Sequence, residues 1–233
     1  QTNVTLNAGT INGSLYGGGL GDQSTAADVN GAVAVTVNGG TITGGVFGGN
    51  NINGMPKSTV AVTINETDIE PAPGEYAVKA VYGGGNMAPY TGNPTVRIQG
   101  GNIENVYGGG LGTTAVITGN TGITMTGGKA GSLFGGGSQA NVTGSVTINM
   151  QGGQVVNDIY GGGALANTNT TSGTTTVNLT GGEVYNVFGG GLGDEDHYAQ
   201  VGGNVQVLLN QGVADNAQGC VVDNAIFGCN NVN

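Results

Sequence analysis

Short stretches of alternating apolar and polar residues recur along the whole chain. They read VTLNAG, VTVNGG, VTINET, VRIQGG, ITMTGG, INMQGG, VNLTGG and VLLNQG. Each begins with a period-2 alternation, the signature of a strand with one buried face. The first apolar column comprises Val4, Val35, Val62, Val96, Ile123, Ile148, Val177 and Val207. The pattern predicts eight equivalent β-strands.

A second motif, an apolar residue followed by an aromatic ring and glycine, follows each stretch. It reads LYGGG, VFGGN, VYGGG, VYGGG, LFGGG, IYGGG, VFGGG and IFGCN, at intervals of 25–39 residues. A unit of about 25 residues is too short for the four strands of a propeller blade. The aromatic residues are Tyr16, Phe47, Tyr82, Tyr107, Phe134, Tyr160, Phe188 and Phe227.

These columns predict an all-β fold, a right-handed parallel β-helix (β-solenoid) of about eight coils without a helical domain. Equivalent strands of successive coils would pair in parallel, so that like residues stack on like. The Gly pairs after the first strand supply corners with positive φ, and the hand follows from the crossover rule. We expect a single repeat domain over residues 1–233.

The composition narrows the choice of partners. Of 233 residues, 51 are Gly and only 8% are charged, with a net charge of −10. Nucleic acid is disfavoured because phosphate binding needs clustered Lys and Arg. Membrane insertion is disfavoured because no apolar run approaches about 20 residues.

Segments of variable length follow the glycine triplets and predict loops on one side of the rod, often the binding side of repeat proteins. They cover roughly residues 22–31, 53–58, 86–94, 113–121, 164–175 and 194–203. The first strand motif begins at Val4 without a preceding cap, and open solenoid ends usually need caps. We therefore expect the domain to be part of a longer surface protein.

The aromatic column is the first candidate binding site. If the alternation continues through the second strand, the rings point outward and form an exposed stack suited to the faces of sugars. Alternatively, the rings pack inside or under the loops, since a long exposed apolar strip is a liability in solution. The candidate ligand-binding residues are Tyr16, Tyr82, Tyr107 and Tyr160.

Asp194, Glu195, Asp196 and His197 form an acidic loop after the seventh glycine triplet. Oxygen-rich clusters of this kind hold Ca²⁺, which makes calcium a candidate cofactor. The alternative is a solvated acidic loop. The segment departs from the G-G-x-G-x-D calcium repeat, because Glu195 stands at its aspartate position.

Catalytic chemistry has weaker support. Asp158, Asp194, Glu195 and Asp196 are candidates for the carboxylate pair of a glycosidase across neighbouring coils. Lyases of acidic polysaccharides need cations near the substrate, whereas the four basic residues are scattered. We therefore expect no enzymatic activity. Regular Thr and Asn columns on the outer face are also compatible with ice binding, although Arg97 and Leu208 interrupt them.

Cys220 and Cys229 are the only cysteines and lie close together in the sequence. A disulfide within the last coil is one interpretation. The other is two free thiols at a packed end.

The repeat GG-x-V-x-N-V-[YF]-GGG resembles the glycine-rich repeats of large secreted or surface-anchored β-helix proteins of gut bacteria. It is similar, more loosely, to adhesin and autotransporter passenger domains. The resemblance covers essentially the whole chain and carries over no catalytic residues. It implies a bacterial surface or secreted protein that presents loops for adhesion to host glycans or to host and cell-surface proteins. A polysaccharide-degrading enzyme and an inert structural spacer are the alternatives.

Overall fold

The computed structural model describes residues 1–68, 72, 74–170, 173–214 and 217–231. Within them the chain forms strands and no helix, so none of the described residues belongs to a helix that could cross a membrane. The strands are β1 (Thr2–Leu6), β2 (Thr10–Ile11), β3 (Leu15–Tyr16), β4 (Val33–Val37), β5 (Thr41–Phe47), β6 (Val60–Ile64), β7 (Val78–Tyr82), β8 (Tyr90–Thr91), β9 (Thr95–Ile98), β10 (Asn102–Tyr107), β11 (Ile117–Thr118), β12 (Thr121–Met125), β13 (Lys129–Phe134), β14 (Val146–Tyr160), β15 (Thr174–Phe188), β16 (Asn204–Leu209) and β17 (Val221–Phe227).

The first side of the solenoid is a parallel ladder of the alternating stretches. Strands β1, β4, β6, β9 and β12, the first halves of β14 and β15, and β16 pair in that order. Val35 lies opposite both Val4 and Val62, as the repeat predicts. Between Val33 and Leu179, the inward apolar residues are buried and form one continuous core. On the outer surface, the amide of Asn38 donates to Asn7 and accepts from Asn65.

The second side carries the aromatic motifs. Strands β2 and β3 pair with β5, followed by β7, β10, β13, the second halves of β14 and β15, and β17. The corner between the two sides lies at the second residue of a Gly-Gly pair, or of Ala8-Gly9 in the first coil, where φ is 80–93° and the absence of Cβ matters. These glycines are Gly9, Gly40, Gly101, Gly128, Gly153 and Gly182.

A third side closes each coil where the sequence predicts loops. Strands β8 and β11 pair in parallel, and single bridges continue their ladder through Val142, Thr168 and Val201. Two residues before each ladder position, a small side chain is buried; this column comprises Ala88, Ala115, Ala140, Ala166 and Ala199. The variable segments are therefore partly a packed wall of the solenoid rather than loops throughout.

The prediction of an all-β parallel solenoid is confirmed. Each repeat contributes a strand to the first side and a strand to the second side, and the eight repeats are joined by seven connecting segments. The solenoid therefore has about seven turns. The right-handed winding stays a prediction.

Candidate functional site

The eight aromatic rings form one uninterrupted stack along the second side. Adjacent ring centroids lie 4.7–5.0 Å apart and adjacent planes are within 10° of parallel. This spacing matches the separation of neighbouring strands, because one ring is supplied by each coil. The rings belong to a cluster separate from the main core, so they lie outside it, as the alternation predicts.

The six internal rings are nevertheless buried, which agrees with the alternative that the rings pack under the loops and not with an exposed sugar-binding strip. Tyr82, Tyr107 and Tyr160 are 6%, 8% and 3% exposed, and Tyr16 at one end is half-buried. After each glycine triplet the chain folds back, and Leu111, Ala164 and Leu192 pack against the rings. The faces of the internal rings are occupied by other rings and cannot stack on a ligand.

A polar column runs beside the ring stack in the second half of the solenoid. It lies two residues before each ring, which by strand alternation puts it on the same side of the sheet. In the second and third coils, Gly45 and Ala80 occupy the equivalent positions and interrupt the column, while the first coil has Ser14 there. The polar column comprises Asn105, Ser132, Asp158 and Asn186, which are in register.

A groove of about 760 Å³ follows this polar column and is called the ring-side groove below. The edges of Tyr107, Phe134 and Tyr160 contribute to its lining together with the polar column. The segments that follow the glycine triplets supply Ser138, Ala164, Leu165, Leu192, Gly193 and Asp194. Two of the four candidate tyrosines, Tyr107 and Tyr160, thus line the groove by their edges, whereas Tyr16 and Tyr82 lie outside it.

Asp158 is the centre of a hydrogen-bond network in the groove. Its Oδ1 accepts from Nδ2 of Asn186 and its Oδ2 accepts from the hydroxyl of Tyr160, both at 2.9 Å. Nδ2 of Asn231 donates to the Tyr160 hydroxyl at 3.1 Å, and Nδ2 of Asn224 donates to Oδ1 of Asn186 at 2.8 Å. A carboxylate offers about four acceptor positions, so Asp158 retains capacity for a ligand.

A β-bulge shapes the outer rim of the groove. Between Val155 and Asp158 the sixth coil contains one residue more than the paired segment of β15, which runs from Val184 to Asn186. Bulges redirect side chains and are common beside functional sites. Val156 and Tyr185 are 40% and 49% exposed here, and the Tyr185 ring lines the groove. Tyr185 is therefore the available aromatic platform.

Asp194 belongs to the groove and also stabilises a tight turn. Its Oδ1 accepts from the backbone nitrogens of Asp196 at 2.9 Å and His197 at 2.6 Å, and lies 3.0 Å from Nδ1 of His197. The hydrogen bond from the His197 side chain holds the pKa of Asp194 below its usual value. Glu195 and Asp196 do not line the groove.

The same turn occurs at the other GGLGD motif. Oδ1 of Asp22 accepts from the backbone nitrogens of Ser24 at 2.8 Å and Thr25 at 2.7 Å. The motif is thus a turn signal in both coils. Among the residues that the structure describes, no group of three or more His, Cys, Asp or Glu side chains is arranged to hold a metal ion. Calcium binding by Asp194, Glu195 and Asp196 stays a prediction.

The predicted disulfide is not formed in this structure. Cys220 is a buried free thiol and Cys229 an exposed one. Burial raises the pKa of the Cys220 thiol to about 11. Cys220 is also held by its backbone, since its nitrogen donates to Oδ1 of Asn210 at 2.6 Å.

The sequence already indicated Asp158 and Asp194 as acidic candidates, but not that they share a groove. It gave no reason to select Tyr185, Asn105, Ser132 or Asn186 as site residues. The available signal was the polar residue two positions before the ring in four consecutive repeats, ENVY, GSLF, NDIY and YNVF; the first repeat has it as well, in GSLY, whereas Gly45 and Ala80 replace it in the second and third.

Comparison with protein-family models, curated proteins and solved structures returns no match to the chain. The function is therefore inferred from the fold and the ring-side groove.

Proposed function

We propose that the protein is an adhesin-like module of a bacterial surface or secreted protein and that it binds glycans in the ring-side groove. The observation that carries this proposal is that the exposed Tyr185 ring and the hydrogen-bonded carboxylate of Asp158 line the same groove. The solenoid contributes a rigid support, because each coil is hydrogen-bonded to its neighbours along continuous parallel ladders.

The lining of the groove suits a sugar. A pyranose presents C–H groups on its faces, which pack against aromatic rings, and hydroxyls at its edges. Tyr185 offers such a ring, while Asn105, Ser132 and Asp158 offer donors and acceptors along one wall. A few convergent polar groups beside an apolar surface are typical of small-ligand sites.

A polysaccharide hydrolase is the second candidate, because Asp158 and Asp194 line the same groove. Glycosidases use two carboxyl groups, one of which must be protonated to act as the general acid. Hydrogen bonds lower the pKa of Asp194, so the general acid would have to be Asp158. Both oxygens of Asp158 accept hydrogen bonds, from Asn186 and Tyr160, which is the arrangement of a carboxylate and not of a proton donor. Binding without hydrolysis is therefore the better-supported function.

The test is a glycan-array screen of the purified protein, followed by calorimetric titration of the strongest ligands. Tyr185→Ala should abolish binding without unfolding the protein, because this ring is half-exposed. Tyr198→Ala is the matched control, since Tyr198 is also exposed but lies outside the groove lining.

Three other results would contradict the proposal. Equal loss of binding in both variants would place the ligand elsewhere. Absence of binding to every glycan would favour a structural spacer or an adhesin for proteins. Release of reducing ends from a polysaccharide, lost in Asp158→Asn, would establish the hydrolase.

A further inference from the structure

The charged side chains that line the ring-side groove are all acidic. Asp158 and Asp194 line it, and no Lys, Arg or His is among the described residues of its lining. Two of the four basic residues are paired elsewhere: Lys57 with Asp28 at 3.0 Å and Lys79 with Glu104 at 2.7 Å. Lys129 lies three residues before Ser132 on β13, about 10 Å along the strand, and does not line the groove.

We infer that the ring-side groove selects glycans that carry free amino groups, namely oligomers of glucosamine, over neutral oligomers and against uronates. This inference rests on the proposed function and specifies its ligand class. An ammonium group would lie beside the carboxylate of Asp158, whereas a uronate would meet the like charge of Asp158 without a basic side chain in the groove lining; the carboxylate of Asp194 has His197 as its own partner, at 3.0 Å.

Three features support the selection of an amino sugar. Both oxygens of Asp158 are oriented by hydrogen bonds from Asn186 and Tyr160, which leave acceptor capacity on each. The half-exposed ring of Tyr185 stacks on sugars and also attracts cations through its π-face. The net charge of −10 adds a long-range attraction for cationic polymers.

A sugar fits this site better than a basic peptide. Amide and hydroxyl groups of Asn105, Ser132, Ser138 and Asn186 line the groove together with the two carboxylates. Uncharged donors and acceptors of this kind match the hydroxyls that surround the amine in an aminosugar, whereas Lys and Arg side chains carry no hydroxyls.

The experiment compares three hexamers of equal length by calorimetric titration: glucosamine, N-acetylglucosamine and galacturonate. The pH is one at which the amine is protonated, and the titration is repeated at high salt. One carboxylate–ammonium contact in a solvated site corresponds to about fivefold in affinity. We therefore expect glucosamine hexamer to bind about fivefold tighter than its N-acetylated counterpart, less so at high salt, and galacturonate not to bind.

Asp158→Asn preserves the shape of the side chain and should reduce the ratio of the two affinities to about one, while the affinity for the neutral hexamer also falls because Asp158 belongs to the groove wall. Glu183→Gln is the matched control, because it also removes one negative charge but lies on β15, outside the groove lining. It should leave the preference intact.

The outcomes separate this inference from the proposed function. Equal affinity of the wild-type protein for both hexamers would overturn the selection and leave glycan binding standing. A preference that survives Asp158→Asn together with Asp194→Asn would reflect net charge and also overturn it. Tighter binding of oligolysine than of glucosamine hexamer would assign the groove to peptides. Failure of all glycans to bind would overturn the proposed function itself.

Discussion

The hydroxyl of Tyr160 donates a 2.9 Å hydrogen bond to Oδ2 of Asp158, two residues earlier on the same strand. Burial raises the pKa of Tyr160 to about 12, so the phenol keeps its proton at neutral pH and remains the donor. Alternation places both side chains on the same side of the sheet. One member of the buried ring stack thus orients a carboxylate in the groove.

Tyr160→Phe should weaken glycan binding several-fold and lower the free energy of unfolding by about 1.5 kcal/mol. The ring remains in the stack, but Asp158 loses a charge-assisted hydrogen bond worth about 1.5 kcal/mol. The measurements are the dissociation constant and the free energy of unfolding. Tyr82→Phe, which removes a hydroxyl outside the groove, is the control. A similar loss of affinity in both variants would contradict the role of Tyr160.

Truncation of a ring inside the stack should cost far more stability than truncation at its end. Phe134 is buried between two rings, whereas Phe227 has one ring neighbour and is 46% exposed. Phe134→Ala should lower the free energy of unfolding by about 3–5 kcal/mol, and Phe227→Ala by less than half of that. Chemical denaturation measures both. Equal losses would show that stacking and burial do not control the stability of the second side.

The second glycine of the triplets should tolerate no side chain. A Cβ at Gly162 would lie 2.8 Å from the backbone nitrogen and Cα of Gly191 in the next coil. Because backbone atoms of a paired coil cannot yield cheaply, Gly162→Ala should destabilise the protein by about 1–3 kcal/mol. Gly122→Ala is the control, since no atom lies within 4 Å of its added Cβ. Thermal melts of the two variants should differ clearly.

The turns at Asp22 and Asp194 should weaken only in strong acid. Hydrogen bonds from Ser24 and from His197 lower the respective pKa values in the folded state. A lowered folded pKa contributes stability above the unfolded value of about 3.9, and this is lost as the pH falls through the folded pKa. The protection factors of the Asp196 and His197 amides should therefore fall as the pH passes below the folded pKa, so that exchange accelerates relative to its intrinsic rate at the same pH.

Asp194→Ala should produce the same acceleration at neutral pH, while the exchange of Ser24 and Thr25 stays as in the wild type. Unchanged protection of Asp196 and His197 in this variant would show that the backbone alone maintains the turn.

Calcium should leave the melting temperature unchanged. Oδ1 of Asp194 is already used by the turn, and a cation that bound the folded state alone would raise the melting temperature. Melts with excess Ca²⁺ and with chelator provide the comparison. A rise with Ca²⁺ that disappears in Asp196→Asn would instead establish the calcium site expected from the acidic loop.

Repetition made much of the fold predictable from the sequence. In a solenoid, each coil is related to the next by nearly the same displacement, so equivalent residues meet without knowledge of distant contacts. The pairing of Val35 with Val4 and Val62, the positive φ of Gly40 and the alignment of the eight rings all follow from the repeat. Alternation also determined that the rings lie outside the main core.

Only the tertiary structure decided whether that outer side is buried. Alternation specifies the side of a strand, but the path of the chain after the triplet determines what covers it. Leu111 and Leu192 cover the rings there, so we propose Tyr185 on the rim, and not the stack, as the aromatic contact for a sugar. That Asp158 and Asp194 line one groove likewise depends on a bulge and a turn in different coils. These departures from the repeat lie outside what periodicity can predict, because they break it.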